Sequence, residues 1–400
     1  MKNIESYFDL LPYNGNLVRN SNKSGSTQIG PSEYSNPEPE PQEKNWFYVE
    51  DVSGENNTLT FTPQYSPQIP PEFADIVITS YDFYVSKDKM EWTKLKVSNT
   101  SGKVEYEFGA NEKVYVKCDT PLTGFSELWY IEIGCSGNFN VGGNIMSLLY
   151  GSDFTGNETE LKTISLQGIE IGGFTGLFAR ASNLMSAENL ILPATTLTAM
   201  CYTSMFSGCH ELTAAPQLPA TTLNLYCYQS MFYGCTSLTA APQLPATTLS
   251  EGCYTGMFSG CTSLTAAPQL PATTLASYCY NGMFSGCTSL ETAPELPATT
   301  LTDHCYSNMF SGCTSLTGTI TIKCVSEAEG CYSFMFDGCS SLNSIYISAT
   351  SGEWDSNNSA DWLNGVAQTG MMTASSRIGI DNSGRNASTC PSGWSLEIWK

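Results

Sequence analysis

From Cys201 to Cys339 the chain repeats itself every 26 residues. Cys201, Cys227, Cys253, Cys279, Cys305 and Cys331 form one series, and Cys209, Cys235, Cys261, Cys287, Cys313 and Cys339 form the other. Between them runs Cys-Tyr-x-x-Met-Phe-x-Gly-Cys-x-x-Leu, continued in most units by Thr-Ala-Ala-Pro-Gln-Leu-Pro-Ala-Thr-Thr-Leu. A period in the twenties with fixed apolar positions predicts a solenoid, in which no unit buries its own apolar side and each needs a neighbour. Such an architecture points to a binding surface before it points to a reaction.

Within a unit, Cys201, Tyr202, Met205, Phe206 and Cys209 fall at i, i+1, i+4, i+5 and i+8, one stripe of a core-facing helix. Gly208, with Gly234, Gly260, Gly286, Gly312 and Gly338 as its equivalents, stands where a left-handed helix terminator is wanted. A strand follows, with Leu212, Ala214, Pro216 and Leu218 on one side and Thr213, Ala215 and Gln217 on the other. Proline removes a hydrogen bond from a parallel ladder, so this strand is expected to be short or irregular. A helix over Cys201–Cys209 would hold those two thiols about 12 Å apart, beyond the roughly 7 Å span of a disulfide. Equivalent cysteines in adjacent coils would sit about 5 Å apart with parallel side chains. The twelve are therefore expected as a structural ladder of free, buried, small apolar groups.

The formal charge is −21, and no Lys or Arg occurs between Ala181 and Ile322. That balance argues against nucleic acid or an anionic membrane as partner, and for an uncharged polar repeat face suited to neutral ligands such as sugars. No apolar run of eighteen residues occurs, so membrane insertion is not expected. The first residues, Met1 to Pro12, carry acids where a signal peptide needs an apolar run.

Four regions are expected. Residues 1–44 read as an extended arm with a stiff Pro37 to Pro41 run. Residues 45–158 alternate as short strands parted by turn residues and read as a β-sandwich. Its lysines Lys87, Lys89, Lys94, Lys96, Lys103, Lys113 and Lys117 read as the solvated outer face of a sheet or, less simply, a docking patch. Residues 159–348 form the repeats, whose first unit replaces the two cysteines by Gly173 and Ala181. Residues 349–400, with Trp354, Trp362, Trp394 and Trp399, read as a carboxy-terminal cap. The fold class is thus multi-domain, a β-sandwich followed by an α/β leucine-rich-repeat-type solenoid of 26-residue units.

Met-Phe-x-Gly-Cys-x-Ser-Leu-Thr in units of this length resembles the BspA-like leucine-rich repeat proteins. Phe139 to Phe154 is similar to the segment joining their β-domain to the repeats, and Asp361 to Val366 and Pro391 to Trp394 are similar to their carboxy-terminal caps. The resemblance implies a surface-exposed adhesion or interaction protein of gut or oral microbes, and similar chains occur among proteins of tailed bacteriophages.

Candidate chemistry is sparse. Leu192-Pro-Ala-Thr-Thr196 is similar to a sortase signal but recurs at Leu218, Leu244, Leu270 and Leu296, as a turn of the coil would. His210 and His304 each stand beside a cysteine, several coils apart, and cannot converge on a metal. No nucleophile elbow, phosphate loop or metalloprotease helix is present. Glu291 and Glu295 share one strand, and two acids about 5–10 Å apart are what glycoside hydrolysis needs, yet no enzyme, metal or cofactor is expected. The candidate ligand groups are two outward ladders, Thr213, Thr239, Thr265 and Glu291 in one and Gln217, Gln243, Gln269 and Glu295 in the other. The tyrosines Tyr202, Tyr228, Tyr254, Tyr280, Tyr306 and Tyr332 could stack sugars if exposed, although their stripe favours burial.

The expected function is a non-enzymatic binding and adhesion protein of a bacteriophage virion, a fibre or capsid-decorating component. Its arm would hold other virion proteins, and its repeats a glycan or protein of the host surface or mucosa. A bacterial cell-surface adhesin is the alternative, and oligomerisation is left open.

Overall fold

The computed structural model describes residues 44–65, 80–98, 100–122, 129–166, 169–324, 328–349, 359–376 and 390–399. The arm expected at residues 1–44 lies, but for Lys44, outside them. The described residues are strand-rich, with several sheets and a short α-helix, α1 (Ser147–Tyr150), continued by a 3-10 turn (Gly151–Asp153).

Between 45 and 144 the described residues supply eight strands: β1 (Tyr48–Asp51), β2 (Asn57–Tyr65), β3 (Ser80–Ser86), β4 (Thr93–Ser98), β5 (Val104–Phe108), β6 (Lys113–Cys118), β7 (Trp129–Cys135) and β8 (Phe139–Asn144). A three-stranded sheet runs β5-β2-β7. The other sheet, ordered β8-β1-β6-β3-β4, gains a sixth strand, β11 (Leu184–Ile191), from the first repeat. The inward positions of each strand meet between the sheets, where Phe61 and Phe83 pack at 4.4 Å between ring centroids. Alternation is the cause: Tyr81, Phe83 and Val85 are buried while Asp82 and Tyr84 are half-exposed.

The repeats grow directly from this sheet. β11 pairs with β8 in parallel, Ile191 opposite Asn144, and the hairpin β9 (Thr163–Leu166) and β10 (Ile169–Gly172) precedes it. The Ile133 N–H donates to the Leu177 carbonyl at 2.7 Å, and the Phe47 and Phe178 rings pack at 6.0 Å. Gly173 replaces a cysteine because a Cβ there would lie 2.1 Å from the Leu122 carbonyl oxygen. The β-domain leaves no room for the thiol.

The helix expected over Cys201–Cys209 and its equivalents is not formed. Each such segment is a run of consecutive turns. In one unit Cys253, Thr255, Met257, Ser259 and Cys261 donate their N–H groups to the carbonyl three residues back, at 3.0–3.3 Å. The residues between them donate instead to the next coil: Gly252 to Ser277, Tyr254 to Cys279, Gly256 to Asn281, Phe258 to Met283 and Gly260 to Ser285, at 2.7–3.0 Å. An α-helix sends every N–H to its own fourth-preceding carbonyl and leaves none for a neighbour. The switch is made by left-handed residues at every fourth position, Gly252, Gly256 and Gly260 with φ of 60°, 60° and 75°, a conformation open to glycine without a Cβ clash. The α/β description is therefore corrected to turn runs joined by extended segments. The apolar stripe misled because i, i+1, i+4, i+5, i+8 fits a repeat of four as well as one of 3.6. Gly208 does hold a left-handed φ of 77°, as the last turn of the run.

What the turn runs position is a core of columns. Tyr202, Tyr228, Tyr254, Tyr280, Tyr306 and Tyr332 stack at 5.6–6.0 Å, and Phe178, Phe206, Phe232, Phe258, Phe284, Phe310 and Phe336 at 5.4–5.7 Å. Each ring is buried, worth roughly 1.5–3 kcal/mol apiece against exposure. No unit could bury these rings alone, so the stack is stabilised by contacts between neighbours.

The extended segments are irregular where proline stands and regular where it does not. In the proline-bearing units only isolated bridges form, such as Ser186 with Ala214 and Ala266 with Thr292. Past residue 317 the prolines give way to β-branched residues, and regular parallel strands appear: β12 (Thr319–Ile322), β13 (Ser344–Ile347), β14 (Gly370–Ser375) and β15 (Trp394–Trp399). Restored N–H donors and β-branched packing account for the change. β14 and β15 carry the sheet past residue 348, and Trp362 takes its place on the columns against Tyr332 and Phe336.

Candidate functional site

All eight candidate ligand residues, Thr213, Gln217, Thr239, Gln243, Thr265, Gln269, Glu291 and Glu295, are exposed. They stand on the extended segments, where the buried neighbours Leu212, Pro216, Leu218 and Ala220 turn them outward by alternation. The two ladders differ at Thr213 and at Glu295. On the first, Thr213 donates both its backbone N–H and its Oγ1 to the Met185 carbonyl, each at 2.9 Å, and Glu291 N–H donates to the Thr265 carbonyl at 3.1 Å. The first ladder is thus tied to its neighbouring coils at Thr213 and at Glu291. On the second, the amides of Gln217, Gln243 and Gln269 have no hydrogen bond to any described residue, and the row ends at Glu295, whose carboxylate lies 3.6 Å from Lys323 Nζ.

The six tyrosines are withdrawn from the candidates. They are at most 2% exposed, and burial pushes their hydroxyls well above the ordinary tyrosine pKa. The twelve repeat cysteines are likewise buried away from a ligand. The sixteen thiols are free, and burial pushes those of Cys227, Cys287, Cys305 and Cys339 up to about 12. Thiolate is the reactive form, so at neutral pH these are inert. His210 Nδ1 lies 3.0 Å from the Gly234 carbonyl and His304 stacks on Tyr278 at 4.8 Å. Among the described residues no cluster of three potential metal ligands occurs, and no helix is long and apolar enough to cross a membrane.

The structure adds a feature that sequence reasoning missed. Where the β-domain meets the first two coils lies a cleft of about 630 Å³, with Asn45, Tyr48 and Gly143 on one side and Glu188, Asn189 and Gln217 on the other. The Gln ladder therefore opens at its first rung into a cleft of mixed lining, where Leu190, Ile191 and Pro219 stand beside the polar groups and Tyr48. The Tyr48 ring lies across Gly142, where a Cβ would come within 2.4 Å of its ring carbon, and carries Lys113 Nζ 3.9 Å from its centroid. The Gly142–Gly143 pair was the available signal, since paired glycines in a strand mark a close approach.

The lysines expected on the β-domain do not form a free cationic patch. Lys113 and Lys117 point outward from β6; Lys117 Nζ lies 4.8–5.7 Å from the centroids of Trp92, Tyr84 and Trp46, and Lys89 covers Tyr115 at 4.6 Å. Lys87, Lys94 and Lys103 pair with Glu112, Asp82 and Glu105 at 2.5–2.9 Å.

Stacked repeat units with an outward polar row define a repeat protein. Residues 228–358 match the family of the BspA type leucine rich repeat region, in six copies, which supports a BspA-like repeat of the sort found in surface and binding proteins. No curated protein and no solved structure matches the chain.

Proposed function

We propose that the chain is a non-enzymatic binding and adhesion solenoid that holds a neutral polar ligand, a glycan of a host or mucosal surface, along Gln217, Gln243 and Gln269. The observation that carries this reading is the row of amides exposed in register and without a hydrogen-bond partner among the described residues. Coils repeat about 5 Å apart, so the row offers paired donors and acceptors at a spacing close to that of successive sugars in a chain. The absence of Lys and Arg between residues 181 and 322 supports an uncharged ligand. The exposed Thr213, Thr239 and Thr265, with Glu291, flank the row.

Two settings fit this role. The BspA type repeat match favours display on a bacterial cell surface. The other setting is a bacteriophage virion, with residues 1–44 held by other virion proteins. Glycan-array binding tests the ligand. The expected result is a discrete set of neutral glycans bound by the wild type, with loss of signal in Gln217→Ala/Gln243→Ala/Gln269→Ala. Undiminished binding by the triple variant, or no glycan bound by the wild type, overturns the assignment. Localisation by immunogold on cells and on purified virions separates the two settings.

A further inference from the structure

We propose that Tyr346 is a stacking platform for a sugar ring, and that a bound glycan runs along the repeat face from the amides to this ring. The inference rests on the reading of Gln217, Gln243 and Gln269 as a glycan row, and extends it beyond the proline-bearing coils. The amides stop at Glu295, but the register does not. Glu291 N–H donates to the Thr265 carbonyl and Thr317 N–H to the Glu291 carbonyl, at 2.9–3.1 Å, each across an offset of 26 residues. The same offset takes Gln269 to Glu295 and Glu295 to Thr321. From there β12 pairs with β13, Thr321 opposite Tyr346, and β13 with β14, Tyr346 opposite Thr373. Tyr346 therefore stands on the Gln row five coils past Gln217, about 25 Å along it at the strand spacing.

The ring is open to a ligand. Tyr346 is 37% exposed, and among the described residues neither its ring nor its hydroxyl has a partner. Alternation turns it outward, because Ile345 and Ile347 on either side of it are buried in the core. Its cross-strand neighbours, Thr321 and Thr373, are too short to cover the whole of a phenol ring. The outward tyrosines of the β-domain differ: Tyr48, Tyr115 and Tyr84 lie under Lys113, Lys89 and Lys117, at 3.9–5.2 Å from their centroids.

The surroundings select the ligand. Thr319, Thr321, Ser344 and Thr373 share the outward face with the ring, as does Met371, which is 41% exposed and opposite Ser344. Thr319 Oγ1 and Ser344 Oγ lie 2.9 Å apart, and Lys323 Nζ is answered by Glu295 at 3.6 Å. The patch thus joins an aromatic ring and a thioether to short hydroxyl side chains. A pyranose has the matching halves: C–H groups on one face, which the negative face of an aromatic ring attracts, and hydroxyls around its rim for Thr and Ser. Tyrosine offers such contact as a large, rigid surface at small entropic cost, and regular strands hold it more precisely than loops would. A protein interface is built around a larger apolar core than one ring and one methionine.

Calorimetric titration of the full chain with neutral linear oligosaccharides of graded length, built from N-acetyllactosamine, mannose or glucose, tests the platform. Wild-type affinity is expected to rise by about tenfold once a member is long enough to reach from the amides to Tyr346. Tyr346→Ala is expected to lose that gain and Tyr346→Phe to keep it, with short members bound equally by all three. If Gln217→Ala/Gln243→Ala/Gln269→Ala loses binding while Tyr346→Ala keeps the length gain, the platform is overturned and the Gln row stands. If the triple variant binds as the wild type does while Tyr346→Ala loses the gain, the row is overturned and the platform stands. A Phe variant that loses as much as the Ala variant overturns stacking, and a wild type that binds no member overturns both readings. Should Tyr346→Ala disturb the fold, the wild type decides alone: a long member is expected to shield Tyr346 from acetylation by N-acetylimidazole, and an unshielded Tyr346 overturns the platform.

Discussion

The Cys235 Sγ lies 3.2 Å from the Phe206 carbonyl oxygen, one coil back, and the same oxygen accepts the Cys209 N–H at 3.1 Å. The pattern recurs from Cys209 to Cys339 at 3.0–3.2 Å. The second cysteine of each unit thus fills a small buried space and gives a weak donor to a carbonyl that already serves the turn. Cys235→Ala removes both, and a loss of about 1 kcal/mol is expected, read as a lower denaturant midpoint. Cys235→Ser keeps a donor and should lie between. In the native protein the twelve repeat thiols should resist iodoacetamide at pH 8 and react on unfolding.

Stability should fall in alkali. Burial lifts Cys227, Cys287, Cys305 and Cys339 from 9.0 to about 12. Below pH 9 both folded and unfolded thiols are protonated, and this contribution is fully present. Between 9 and 12 only the unfolded chain ionises, so each such thiol removes about 1.4 kcal/mol per pH unit. Denaturation midpoints measured from pH 8 to pH 11 should drop steeply above 9. A flat profile across that range would contradict the buried ladder.

Acid should act through a different residue. Burial raises the Asp51 carboxyl, but hydrogen bonds from Ser53, Asn111 and Asn57 outweigh it and hold the group down to about 2, from 3.8. The stability it contributes is present above pH 3.8 and is lost as pH falls through 2. Asp51→Asn turns an amide toward donors that both carboxylate oxygens now accept, and should cost the β-domain about 2 kcal/mol. Amide exchange at Asn111 and Gly54 would report it locally.

Two glycines of one turn run should differ sharply on substitution. A Cβ on Gly260 would meet only Gly234, its Cα at 3.5 Å and its nitrogen at 3.6 Å, ordinary contacts that leave the left-handed φ as the cost, about 1 kcal/mol. A Cβ on Gly252 would meet the Tyr226 ring at 2.3 Å, a ring held by its hydroxyl bond of 2.9 Å to Glu251. Gly252→Ala should therefore cost clearly more than Gly260→Ala. Combining it with Tyr226→Ala should recover part of the difference, a coupling that a double-mutant cycle reads directly.

The repeat length, the core residues and the outward ladders were legible because each depends on position alone: Cys, Tyr, Met and Phe recur in register, and alternation sets Gln217 apart from Leu218. The backbone of the turn run was not. Its apolar stripe suits a helix, and the distinguishing signal is subtler, the recurrence of Gly256, Gly282 and Asn308, or Gly252 and Gly330, four residues before the next left-handed position. Unit 201–209 hides even that, since Met200, Tyr202 and Ser204 take positive φ without glycine. The cleft beside Tyr48 was illegible for another reason: it forms between segments about 140 residues apart in the chain, and only the parallel pairing of β8 with β11 brings them together.

The alternation of amides in the turn runs sets a rule for how such a molecule can change its length. Inserting one residue within a run would exchange the amides that bridge coils with those that close turns, and every bond to the neighbour would be lost at once. A whole unit can be gained or lost without that penalty, because both cut faces carry the same pattern. Reach is therefore quantised: it varies in steps of one coil, about 5 Å, and descendants of this chain should differ by complete 26-residue blocks, with looser length changes confined to the stretches between runs.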